Sequence, residues 1–100
     1  HASLEVQIKY FPIMEKAVEL GNARKCDLAM LQDRILVKQG KKQIYGTQLI
    51  YNEEEKQYVV EPLVYPEKVD ERRQSVGLPP MNEYLKCYDL TWENGNSQKR

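Results

Sequence analysis

Two amphipathic helical segments, a change to strand-like period after residue 42, and two short proline-bounded helices near the end predict an α+β domain. Its expected parts are an antiparallel helical hairpin, one β-hairpin and two short C-terminal helices. A chain of 100 residues with 41% hydrophobic residues supports one modest core, which is assigned to residues 1–93, with 94–100 as a polar, frayed tail.

The first helix is expected from Leu4 to Leu20, where Leu4, Ile8, Phe11 and Val18 recur near helical spacing, Ser3 can cap the N-terminus and Gly21-Asn22 stops the pattern. Pro12 lies inside it and predicts a kink or break near Ile8 to Phe11, because proline removes a donor and crowds the preceding turn. The second helix, about Ala23 to Gln39, places Leu28, Leu31, Ile35 and Leu36 on one face, assigns Arg24, Lys25, Asp33, Lys38 and Gln39 to the remainder, and ends at Gly40. A link this short between helices favours antiparallel packing.

Residues 44–51 and 57–61 are rich in β-branched and aromatic side chains, and the charged segment Asn52 to Lys56 between them suits a hairpin loop. Pro62 and Pro66 leave the ladder. A short helix then runs from Pro66 or Glu67 to Val76 with Gly77 as its stop, and after Leu78-Pro-Pro80 a last helix from Met81 to about Tyr88 turns Tyr84, Leu85 and Tyr88 inward.

Lysine plus arginine equals aspartate plus glutamate at 15 each, so no global field favours nucleic acid, and scattered aromatics offer no stacking platform. No stretch reaches the ~18 apolar residues of a membrane span. Cys26 and Cys87 could pair once in an oxidising compartment; with the single His1 they lack the close pairing of a structural zinc site, so no metal and no cofactor is expected. Gly-x-Ser-x-Gly, phosphate-cradling glycine loops and His-Glu-x-x-His are all missing from the sequence.

Candidate site residues fall in three places. As an extended strand, the run Gln43-Ile-Tyr-Gly-Thr-Gln48 would gather Gln43, Tyr45 and Thr47 on one face, able to orient a polar ligand together with Gln48, while Gly46 permits close approach on the other. It equally suits a hairpin strand with a solvated polar face and a bulge at Gly46. Asp70, Arg72 and Arg73 open a short helix: they fit helix-start electrostatics with an Asp70–Arg73 ion pair, or an arginine fork for a carboxylate or phosphate. His1 is the one side chain whose ordinary pKa lies near neutrality, a general-base candidate standing at the chain start.

The order Gln43-x-Tyr-Gly-Thr-Gln48, Tyr65-Pro66, Val69-Asp-Glu-Arg-Arg73, Gly77-Leu-Pro-Pro80 and Glu83-Tyr84-Leu85 resembles a bacterial domain family of unknown function across most of the chain. The resemblance implies a longer domain, of which this chain is the C-terminal part, with His1-Ala2 similar to the end of a Gln-His-Ala-Asp-like motif and Ser3 standing where Asp is usual. It implies no activity. The expected function is therefore a small-ligand or peptide binding domain, its partner a small polar or anionic ligand or an upstream segment of the same protein. Two alternatives stand beside it: a hydrolase-like enzyme with His1 as base and Tyr45 and the arginines stabilising negative charge, and a structural or protein-interaction domain.

Overall fold

A computed structural model describes residues 3–93 and 95–99. The fold is α+β, with a helical hairpin at the N-terminus, as the period of the sequence predicts. Helix α1 spans Leu4–Glu19, capped by Ser3, whose Oγ accepts from Val6 N at 3.3 Å. It runs unbroken through Pro12. The expected break does not occur, since only one ladder donor is lost and packing on the next helix supports the turn. Helix α2 spans Lys25–Lys38, and its buried residues are Ala29, Leu31 and Asp33, so the assignment of Asp33 to the polar side is corrected.

Strands β1, Leu49–Asn52, and β2, Gln57–Val60, form the expected hairpin, antiparallel with Leu49 opposite Val60 and Asn52 opposite Gln57. The first strand begins five residues later than its composition suggests, because residues 44–48 form a loop. A 3-10 turn at Pro66–Lys68 leads into α3, Val69–Ser75, and α4, Met81–Leu85, ends in a second 3-10 turn at Lys86–Tyr88. The chain then forms another antiparallel hairpin, β3 Leu90–Glu93 with β4 Asn96–Lys99, in place of the expected frayed tail. A polar composition hides β4 from a reading of side chains, because its pairing is made by backbone groups.

The apolar core comprises Leu63, Val69, Met81, Leu85 and Leu90, covered by Leu49, Val60, Tyr84, Tyr88 and Trp92. It lies under the hairpins, α3 and α4. The helical hairpin instead joins the rest through a polar seam, and that seam positions the site. Cys26 and Cys87 are both free thiols, the first half-buried and the second exposed.

Candidate functional site

The loop Gln43–Gln48 carries backbone polar groups that no regular ladder satisfies, and in a buried setting each must find a partner. At its ends the backbone does this, Gln43 N donating to the Pro62 carbonyl, the Gln43 carbonyl accepting from Val64 N and the Gln48 carbonyl accepting from Glu61 N; between them side chains supply the partners. Asp33, fully buried on α2, accepts at Oδ1 from Ile44 N (2.8 Å) and Tyr45 N (3.1 Å). Its Oδ2 accepts from Tyr45 N (3.2 Å), Thr47 N (3.1 Å) and Thr47 Oγ1 (2.9 Å). One carboxylate thus gathers four donors, and charge-assisted bonds of this kind are among the stronger ones.

The carbonyls of the same loop are held from the opposite side. Arg73, 1% exposed, donates from Nη1 to the Tyr45 (2.8 Å) and Gly46 (3.3 Å) carbonyls, and from Nε to the Pro79 carbonyl at 2.6 Å. Arg72 donates from Nε to the Ile44 carbonyl at 2.7 Å, and its two terminal nitrogens reach the Val64 and Tyr65 carbonyls. Tyr65 adopts the left-handed region at φ 42°, so Arg72 also fixes a turn that a non-glycine residue enters at a cost of about 1–3 kcal/mol. The Gln43 amide closes the loop: Nε2 donates to the Gln48 and Glu61 carbonyls at 2.9 and 3.0 Å, and Oε1 accepts from Gln48 N at 2.9 Å.

Gly46 is required by two facts together. Its φ is +69°, and a Cβ there would lie 2.8 Å from Met81 Sδ. Asp70 has a different role from the expected pair with Arg73: its Oδ1 accepts from Met81 N at 2.9 Å and so caps α4, seating Met81 under Gly46.

Tyr84 closes the seam by donating from its hydroxyl to the Thr47 carbonyl at 2.9 Å, with the Arg73 guanidinium 4.9 Å from its ring centroid. Burial first, then the neighbouring Tyr88, pushes the Tyr84 pKa up to about 12, with Arg73 pulling the other way. Burial likewise draws Arg73 below its ordinary value, opposed by Tyr84, Asp70 and Asp33. For Tyr84 the sign is fixed: an unfolded tyrosine ionises near 10, so its contribution is complete below that pH and is lost as pH rises through about 12. Tyr84→Phe should cost about 1 kcal/mol at neutral pH. Urea titrations should show that the gap from the native chain narrows between these two pH values; a gap unchanged over that interval would refute the assignment.

The structure therefore brings Gln43, Tyr45, Thr47, Gln48, Asp70, Arg72 and Arg73 into one region, as a loop and its clamps rather than one face of a strand. The alternation of faces expected for Gln43, Tyr45 and Thr47 is corrected accordingly, since the antiparallel ladder begins only at Leu49. Gln43 and Thr47 are buried with their polar atoms engaged, and Tyr45 and Gln48 are half-buried. His1 lies outside the described residues.

Asp33, assigned to the polar face, and Tyr84, expected only to pack inward, are members that the candidate site residues do not include. Asp33 follows Ala29 by four residues, so helical spacing alone puts both on one buried stripe. Two clefts flank the clamp. One, about 330 Å³, lies between the loop and the tyrosines and is lined by Arg34, Thr47, Gln48, Tyr58, Tyr84 and Tyr88. The other, about 410 Å³, runs between α1 and α2. Met30 and Arg34 border both. Among the described residues no group of three or more His, Cys, Asp or Glu side chains is arranged to hold a metal ion, and no helix is long and apolar enough to cross a membrane.

Compared with known proteins, a profile of a family described as a family of unknown function matches residues 2–94. No curated protein and no solved structure matches the chain.

Proposed function

The chain belongs to that family of unknown function, DUF6624, and from this premise we propose that it is a binding domain for a small ligand or peptide bearing an anionic group. The observation that carries the reading is Arg34. Its side chain is half-buried, borders both clefts, and makes no hydrogen bond or ion pair among the described residues. A guanidinium removed from bulk water favours a planar anion that accepts two of its N–H groups.

Gln48 stands across the smaller cleft, its Nε2 donating to Thr47 Oγ1 at 3.0 Å. Held so, it can present its amide oxygen to a ligand. In this reading Thr47 is part of the wall, Gln43, Arg72 and Arg73 hold its loop from behind with Asp70 seating α4, and Arg34, Gln48 and the tyrosines meet the ligand. Both cleft volumes lie within the usual range for small-molecule sites.

The test is a titration of the ¹⁵N-labelled chain with inorganic phosphate and with succinate. Saturable shifts should centre on Met30, Arg34 and Gln48, and Arg34→Gln should weaken binding at least about tenfold, the scale of one lost charge-assisted contact. Thermal stability of the free protein should not change. Equal affinity in Arg34→Gln, or no saturable shift with either anion, would sink the proposal.

A protein-interaction domain is the second reading, favoured by the exposed apolar side chains Val6, Ile8, Tyr10 and Ile13 on α1 and Leu20 at its end. Its signature in the same experiment would be concentration-dependent broadening along α1 with no response to the anions.

A further inference from the structure

Gln7 is the one buried residue of α1, 4% exposed, on the stripe that continues through Phe11 and Met14. Its Oε1 accepts no hydrogen bond, and among the described residues it is the sole buried side-chain polar atom without a partner. In the seam, by contrast, the Asp33 carboxylate and the Gln43 amide oxygen are matched to donors, so an orphan oxygen at this position stands out physically. Gln7 lines the 410 Å³ cleft between α1 and α2 together with Met14, Met30, Leu31, the unpaired Arg34 and Asp27, whose two carboxylate oxygens are already engaged by the Arg24 guanidinium.

The lining therefore makes three chemical demands: a hydrogen-bond donor for Gln7 Oε1, an anion for Arg34, and an apolar body against Met14, Met30 and Leu31. An N-acylated apolar amino acid meets all three within one residue. We propose that the α1–α2 cleft takes the C-terminal residue of a peptide, or another N-acyl apolar amino acid. Its amide N–H donates to Gln7 Oε1, its carboxylate accepts from Arg34, and its side chain packs on Met14, Met30 and Leu31. This inference rests on the anion reading of Arg34 and adds the donor and the apolar body. The requirement for an N–H distinguishes it from simple carboxylates.

The experiment measures binding of N-acetyl-leucine and of its N-methylated analogue to the full chain, to Gln7→Met and to Arg34→Gln by isothermal titration calorimetry. N-methylation should weaken binding to the native protein about tenfold, and Gln7→Met should do the same, because each removes one partner of a single hydrogen bond. In Gln7→Met, methylation should have no further effect. The variant should be at least as thermally stable as the native chain, since it removes an unsatisfied buried acceptor without changing side-chain length. If the native protein binds the parent and the N-methyl compound equally, or does not bind N-acetyl-leucine, the inference is overturned. That comparison needs no variant to fold. Loss of N-acetyl-leucine binding while phosphate or succinate still binds through Arg34 overturns this inference alone. Binding that depends on Gln7 and the N–H but is indifferent to Arg34→Gln supports the Gln7 contact and overturns the anion reading.

Discussion

Arg73→Met should destabilise the fold by about 3–5 kcal/mol, the range for breaking one side of a buried charged network. The native guanidinium spans two segments: Nε serves the Pro79 carbonyl, and Nη1 serves the carbonyls of Tyr45 and Gly46. Methionine fills much of the same volume yet leaves those oxygens without their donor, and it withdraws the positive charge that Asp70 and Asp33 favour. Arg73→Lys keeps the charge but replaces a planar fork with one ammonium, which cannot hold both sides of the seam, so a loss of about 2 kcal/mol is expected. A domain of this size is stable by only about 5–15 kcal/mol, so either change should be plain in urea denaturation. A loss below about 1 kcal/mol for Arg73→Met, at unchanged dependence on urea, would mean that the carbonyls are rehydrated at little cost and that the clamp is dispensable.

The elements are legible in the sequence wherever side-chain period and backbone need agree. Ser3 marks the start of α1, and Gly21 and Gly40 follow the ends of the two long helices, because capping demands specific local chemistry. The β1–β2 hairpin shows through its aromatic and β-branched residues. Gln43 to Gln48 misleads because its composition is that of a strand while, between the Gln43 bridge to Leu63 and the Gln48 carbonyl, its hydrogen bonds come from distant side chains. The Ile44 and Tyr45 amides bond to Asp33 on α2, and their carbonyls bond to Arg72 and Arg73 on α3, partners that no local window contains. Propensity yields to such tertiary contacts. Arg34 and Gln7 are illegible for a related reason. A polar residue on a helix normally implies solvent, and only the packing of α1 on α2 shows that Gln7 is enclosed.

Asp33→Asn should cost about 3 kcal/mol and should loosen the loop locally before it unfolds the domain. The substitution is nearly isosteric, so packing is preserved and hydrogen bonding alone is tested. One amide oxygen can still accept from Ile44 N and Tyr45 N, but the amide nitrogen then faces Thr47 N, donor against donor, and the bond from Thr47 Oγ1 must reverse or be lost. Native-state hydrogen exchange should show the amides of Ile44, Tyr45 and Thr47 losing protection by more than those of β1 and β2. Because Asp33 grips the N–H groups and Arg73 the carbonyls of one loop, the two are not independent. Once either is removed the loop can rotate its peptide groups toward water, and the second removal then costs less. The double variant Asp33→Asn, Arg73→Met should therefore fall short of the summed single losses by about 1–3 kcal/mol, the size of coupling measured for residues in one network. Strict additivity would show that the carboxylate and the guanidinium stabilise separate structures, and that the loop is not a single clamped unit.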